Sequence, residues 1–271
     1  MRVATIAFLL LLCTTTGEAQ VLVPSLMLHG GRVSRVQQGS GSIQRPLWTA
    51  AGLWLGPVPG ASALDRIEHA GAAVYDRSTD ALYASANGAL VQLRDGRLAV
   101  VLAAGIQGRD LDLLATRRRL VSREPGQGIV LHAWPGADPA RVVLVQGERH
   151  FHPRLSPDGT RLLLSRTDPG GGRMGLLSLA NPRAMTDLGA GSDPGWHPDG
   201  KRILFTCVVH DGYRVQAAEL WSLELATRRR LQLTHTPDLA EVEPVVSPDG
   251  KWLAFVDGVS GDLYLTQIGG R

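Results

Sequence analysis

The chain has 271 residues with 28 basic against 25 acidic side chains, a formal charge of +3, and 44% of it is apolar. So slight a basic excess gives no footing for nucleic acid, and the ordinary apolar content excludes a disordered chain. Nearly all the basic residues are arginine, with lysine only at 201 and 251, and the only cysteines are Cys13 and Cys207.

The first nineteen residues stand apart. Met1-Arg2 is a short positive start, Val3 to Cys13 is an unbroken run of apolar and small residues, and the polar stretch after it ends small-x-small at Gly17-Glu18-Ala19. This is the pattern of a secretory signal peptide, too short to span a bilayer, and cleavage is expected after Ala19. Lipidation at Cys13 is a competing reading, disfavoured by the bulky Leu12 where a small residue is normally required. The mature chain, 20–271, holds no further apolar run long enough to cross a membrane. Cys207 is then its only cysteine, so packing and not an intramolecular disulfide must hold the fold.

A repeat follows, faint at first and clear later. Pro46-Leu-Trp-Thr-Ala-Ala-Gly52, Ala73-Val-Tyr-Asp and Leu111-Asp-Leu-Leu are weak copies of three plain ones. Those are Pro153-Arg-Leu-Ser-Pro-Asp-Gly159, Pro194-Gly-Trp-His-Pro-Asp-Gly200 and Pro244-Val-Val-Ser-Pro-Asp-Gly250, each leading into an aliphatic run. Proline pre-sets φ for a tight turn, Asp bonds nearby amides, and Gly takes the positive φ that a side chain resists. Each copy therefore reads as strand, turn, strand.

The anchors at 46, 73, 111, 153, 194 and 244 are spaced near 40 residues, the period of propeller blades. Second hairpins follow at Leu90–Leu98, Ile129–Val145, Leu176–Leu188 and Leu220–Leu233. The expected fold is all-β, a six-bladed β-propeller over residues 20–271. Only three strands fit after Pro244, so Val21–Val36 is expected to add the outer strand of the last blade and close the ring.

The Ser/His-Pro-Asp-Gly turns at 156–159, 197–200 and 247–250, followed by aliphatic strands, resemble the TolB-type, WD40-like propeller repeats of Gram-negative periplasmic proteins. The resemblance implies a periplasmic, envelope-associated β-propeller that binds a protein. TolB propellers partner a peptidoglycan-associated lipoprotein, and related propellers accompany prolyl-oligopeptidase-type hydrolases. The chain departs from both, with room neither for the α/β domain that precedes the TolB propeller nor for a hydrolase domain.

The residues just before the anchors are Arg45, Ala72, Asp110, His152, Asp193 and Glu243, and five of the six are ionisable. The first strand of each blade lines the central channel, so Arg45, Asp110, His152, Asp193 and Glu243 should gather at its mouth. Such a rim is either simply solvated, or binds a polar ligand or a partner's side chain, or holds a cation through its His, Asp and Glu. His150 and His152 share a strand face by spacing, and chance accounts for the pair better than zinc does. Asp158, Asp199 and Asp249 have local work in their turns. The tryptophans and Cys207 belong to strands and core, and the two Ala-Thr-Arg-Arg-Arg-Leu runs, at 115–120 and 226–231, to hairpins at different strand positions.

No nucleophile elbow, Walker A or dinucleotide pattern is present. The expectation is an envelope interaction module, not an enzyme, binding a protein or polar ligand at the channel mouth, with no cofactor and no metal. The alternative is a metal-dependent propeller enzyme, lactonase- or lyase-like, with an ion held by His152, Asp193 and Glu243.

Overall fold

The computed structural model describes residues 26–28, 31–37, 46–49, 52–54, 73–76, 81–86, 88–94, 97–106, 110–114, 117–133, 141–210, 215–236 and 238–268. The leader with Cys13, and Arg45 and Ala72, lie outside them. The described residues are strands and turns, and no helix among them is long and apolar enough to cross a membrane.

Four sheets have the form of a propeller blade, four antiparallel strands in simple succession. The first joins β5 (Ala73–Asp76), β6 (Ala81–Ala86), β7 (Gly88–Arg94) and β8 (Arg97–Ile106). The second joins β9 (Leu111–Leu114), β10 (Arg119–Glu124), β11 (Gly128–Ala133) and β12 (Arg141–Gln146). The third is β13 (His150–Leu155), β14 (Arg161–Asp168), β15 (Gly171–Ser178) and β16 (Asn181–Ala190), and the fourth is β17 (Ser192–Trp196), β18 (Arg202–His210), β19 (Val215–Glu224) and β20 (Arg230–Gln232). All four predicted second hairpins are present as the outer strands of these blades.

The six-bladed expectation is corrected here: four blades are complete among the described residues. Around Pro46 there is only a two-stranded ribbon, β3 (Leu47–Thr49) with β4 (Gly52–Trp54). The last three strands, β21 (Glu241–Val246), β22 (Trp252–Asp257) and β23 (Leu263–Gln267), belong to a five-stranded sheet. Its outer members are β2 (Gly31–Gln37), antiparallel to β23, and β1 (Leu26–Leu28) beyond it. The ribbon falls where the repeat has lost its inner Pro-Asp, so no turn chemistry commits that segment to a full blade.

Pleating explains the core. Successive residues of a strand face opposite sides, so Leu162 and Leu164 of β14 pack with Val121 and Ile129 of the preceding blade, while Leu163 packs with Ile203 and Phe205 of the next. Middle strands are buried and outer ones wet: β14 is sealed through Leu162–Ser165, whereas β12 exposes Val142 and Val143.

The Pro-Asp-Gly turns behave as their chemistry demands. Asp158 Oδ1 accepts from Ser156 Oγ at 2.5 Å and Thr160 N at 3.0 Å, and Asp249 Oδ1 from Ser247 Oγ at 2.5 Å and Lys251 N at 3.1 Å. Gly159, Gly200 and Gly250 take φ of 69°, 65° and 72°. The turns also tie blades together. Arg119 donates to the Gly159 carbonyl, and the equivalent Arg161 donates from Nη2 to Gly200 O at 2.7 Å while stacking on Trp196. The two Ala-Thr-Arg-Arg-Arg-Leu runs do occupy different places, between β9 and β10 and between β19 and β20.

Candidate functional site

Three of the residues that precede the anchors share one backbone conformation. His152, Asp193 and Glu243 have φ of 50°, 51° and 52°. This left-handed region costs an ordinary side chain about 1–2 kcal/mol, and the following prolines, Pro153, Pro194 and Pro244, restrict the backbone further. In each case the ladder slips by one residue: His152-Pro153 faces Leu164 alone, Asp193-Pro194 faces Phe205, and Glu243-Pro244 faces Phe255. These are β-bulges, and proline suits them because it has no amide to leave unpaired.

The bulges bring side chains from four blades and sheets to one place. His152 Nδ1 is 2.8 Å from Asp193 Oδ1, and His152 Nε2 is 3.8 Å from Glu243 Oε1. Arg154 Nη1 donates to Asp110 Oδ1 at 3.1 Å, and Arg154 Nη2 lies 4.0 Å from Glu243 Oε2. Two of the bulged amides are satisfied by the preceding blade: Asp110 accepts from His152 N, and Ser165 Oγ accepts from Asp193 N at 3.2 Å. Leu155 N donates to Asp112 Oδ2 at 2.7 Å. His152 is 29% exposed, Asp193 and Glu243 about half that, and Arg154 only 6%.

Four carboxylates, of Asp110, Asp112, Asp193 and Glu243, thus surround one guanidinium and one imidazole. Burial works against the charged imidazole of His152, yet the Asp193 hydrogen bond and the Glu243 charge prevail and raise its pKa. Burial likewise opposes the Arg154 charge, and Asp110, Glu243 and Asp112 overcome it. Arg154 also lines a cavity of about 220 Å³ together with Asp112, Ser156, Trp196 and Val245.

No family model matches the chain. Over 127 residues, 43% of its length, the chain is 34% identical to a protein TolB homolog of Chlorobium luteolum, and over 140 residues, half its length, 31% identical to the uncharacterized protein YidR of Escherichia coli. It covers 26% and 30% of those two proteins, so it spans between a quarter and a third of their length. Its fold matches putative TolB from Agrobacterium tumefaciens with a TM-score of 0.56 and 18% identity over 69% of both chains. It matches TolB from Acinetobacter baumannii with a TM-score of 0.53 and 14% identity over 73% of this chain and 54% of that one.

The chain has the β-propeller fold of these TolB structures. In this TolB-type frame the Pro-Asp-Gly turns lie at one end of the inner strands and the bulged residues at the other, so the repeat that is legible in the sequence fixes where the site is.

Of the five rim residues expected from the sequence, the structure brings together Asp110, His152, Asp193 and Glu243. Arg45 lies outside the described residues. His150 does not join them: the bulge at His152 breaks the alternation on which a shared face depends, and His150 Nδ1 is buried without a partner. Cys207 is half-buried at the edge of a core cluster, less enclosed than expected.

Sequence reasoning missed Arg154 and Asp112. Asp112 lies two residues beyond Asp110, the strand period, so extending the pattern by one step finds it; Arg154 lies beyond the bulge at His152–Pro153, where that period no longer holds. It also missed a buried acid. Glu241 accepts from Thr236 Oγ1 at 2.5 Å, from Leu220 N at 3.3 Å and from Thr234 Oγ1, and Thr234 also faces Glu219 at 3.4 Å. Burial pushes the Glu241 pKa up to about 7 against these hydrogen bonds. A third cluster, Ser122, Glu124 and His132, is sealed inside its blade, with Ser122 Oγ 2.5 Å from Glu124 Oε1 and 3.0 Å from His132 Nε2. Its three side chains are buried among the described residues.

Proposed function

We propose that this chain is an exported envelope protein whose propeller binds a partner's polar segment or a polar ligand at the mouth of the central channel. The observation that carries this reading is the triple bulge. Three inner strands adopt the same unfavourable backbone conformation at the same offset, and its effect is to gather His152, Asp193 and Glu243 in one group of which His152 is the most exposed. Strain kept at one spot by its surroundings is a mark of function. Carboxylates outnumber cations there, so the mouth favours positive or hydrogen-bond-donating groups.

The similarity to a TolB homolog and the apolar start from Val3 to Cys13 support an envelope location. In this reading residues 1–19 are a signal peptide, the mature protein begins at Gln20, and β2 closes the ring. Pairing of β2 with β23, and packing of Trp48 and Leu53 against Val256 and Leu263, support that closure. Osmotic-shock fractionation with N-terminal sequencing tests export, and a mature form lacking residues 21–36 should unfold at a lower temperature.

Binding is tested by crosslinked capture from cell envelopes, with the wild type beside an Asp193→Asn, Glu243→Gln double variant. A partner held by the wild type and lost by the folded variant supports the mouth as the site. An identical capture profile for both removes it.

A further inference from the structure

We infer that the face formed by the Pro-Asp-Gly turns, at the other end of the inner strands from the rim, docks on an anionic lipid surface. Simple strand succession decides what shares that face. In each blade the turn between the first and second strands and the turn between the third and fourth open at the same end. Both Ala-Thr-Arg-Arg-Arg-Leu runs therefore open there, one between β9 and β10 and the other between β19 and β20, although their strand positions differ. Lys201 and Lys251, the only lysines of the chain, each follow a Pro-Asp-Gly turn and join them.

The turns touch one another. Arg119 donates to the Gly159 carbonyl, Arg161 Nη2 to Gly200 O at 2.7 Å, and Leu225 N, beside the second arginine run, to Lys201 O at 3.0 Å. A Cβ on Gly250 would lie 3.2 Å from His197, which places the last turn against its neighbour. Arg228 and Arg230 donate to the carbonyls of Asp187 and Leu188 at 3.3 and 2.7 Å, contacts that orient a guanidinium and leave its charge uncompensated. Arg202 is paired with Asp199 at 2.8 Å, but among the described residues none of the other cations named here forms an ion pair. The remaining acids of the face are held within their own turns: Asp158 accepts from Ser156, Asp249 from Ser247 and Glu224 from Thr227. The cations are spread over the β9, β13 and β17 blades and the last sheet instead of converging, which suits a plane of many phosphates better than one small anion. Carboxylates outnumber cations at the rim, so docking by the basic face turns the mouth away from the membrane, toward a soluble partner. The choice of a lipid surface rests on the envelope reading; the basic face does not.

The test is cosedimentation of the purified mature protein with vesicles of phosphatidylcholine alone and of phosphatidylcholine with phosphatidylglycerol. Binding is expected only to the second kind, and it should fall steeply with added salt, since screening acts over about 10 Å at 0.1 M. Arg117, Arg118 and Arg229 are exposed, and their side chains make no bond among the described residues. The triple variant Arg117→Gln, Arg118→Gln, Arg229→Gln should weaken binding on the order of a hundredfold, about fivefold for each cation lost. Lys201→Gln with Lys251→Gln, in other turns, gives an independent reading of roughly twentyfold. Arg123→Gln, Arg149→Gln, Arg173→Gln removes as much charge as the first triple variant, but near the rim end, and should leave binding within about twofold.

No binding to the anionic vesicles at low salt, or equal losses in the two triple variants, overturns the inference. Capture by polyglutamate of a protein that ignores the vesicles also overturns it and assigns the face to an acidic protein. Stoichiometric binding of inorganic phosphate that abolishes vesicle binding does the same and assigns the face to a small anion. Export and capture at the mouth are read by experiments that do not use this face, so a failure here leaves both standing.

Discussion

Trp48 is bonded to Val245 across 197 residues of sequence: its indole Nε1 donates to the Val245 carbonyl at 3.3 Å. The same bond recurs between Trp196 and Arg154 O at 2.9 Å. Each tryptophan lies two residues past its own anchor proline, and each acceptor one residue past the anchor of the other sheet. The β3–β4 ribbon therefore stands to the last sheet as the β17 blade stands to the β13 blade. Trp48→Ala and Trp196→Ala should each cost about 2–4 kcal/mol, somewhat below the range for a fully buried Trp, and Trp→Phe about 1 kcal/mol for the lost hydrogen bond. Urea unfolding measures both. An unchanged midpoint for Trp48→Ala would detach the ribbon from the last sheet.

The bulge at Glu243 gives a comparison free of side-chain chemistry. Glu243→Ala and Glu243→Gly remove the same carboxylate, but only glycine is at ease with a φ of 52°. The glycine variant should be the more stable of the two by about 1 kcal/mol. Equal stabilities would mean that the left-handed conformation is not kept in solution.

Arg154 is nearly sealed, with Asp110 and Glu243 as its counter-ions. Arg154→Met leaves those carboxylates unbalanced and should destabilise by about 2–4 kcal/mol, less than for a fully enclosed pair because the acids keep some water. The double variant Arg154→Met, Glu243→Gln should recover part of the loss. A double-mutant cycle in thermal unfolding reads the coupling.

The turn glycines should not be equivalent. A Cβ on Gly159 would lie 2.8 Å from Leu114 Cδ2, whereas on Gly200 the nearest atoms are 3.9 Å away. Gly200→Ala should therefore cost only backbone strain, about 1 kcal/mol, and Gly159→Ala more. Denaturant midpoints in that order are expected, and the reverse order would contradict the packing at Leu114.

These particulars show what was legible in the sequence and why. Turn chemistry is local, so Pro-Asp-Gly fixed three anchors outright, and strand periodicity recovered β5 and β9 at the weak ones. Blade number is not local: it depends on whether strands far apart in the sequence, such as β2 and β23, join one sheet. The rim was legible because equivalent positions in a repeat converge in space. The Glu241–Glu219 proximity was not, since it joins β21 to β19 through Thr234 and no spacing in the sequence announces it.

That buried acid sets a pH dependence. Glu241 titrates near 7 in the folded protein against 4.5 for its ordinary value. Between those two pH values the folded state holds a proton that the unfolded chain has released, so stability falls as pH rises from about 4.5 to about 7 and then levels. The span is on the order of 3 kcal/mol. Glu241→Gln should flatten this slope in urea titrations run in EDTA. Below pH 4 the sign reverses. Ser156 and Thr160 hold Asp158 at about 2, and Asp199 is also held at about 2, there by the Lys201 and Arg202 bonds against the effect of burial, so protonating either weakens the fold.

Arg154 pairs with the rim carboxylates and also lines the 220 Å³ cavity. Its one positive charge is therefore shared between the rim carboxylates of Asp110 and Glu243 and a cavity whose lining also includes Asp112 and Ser156. A single substitution, Arg154→Met, thus removes a positive charge from two places at once, the rim and the cavity lining.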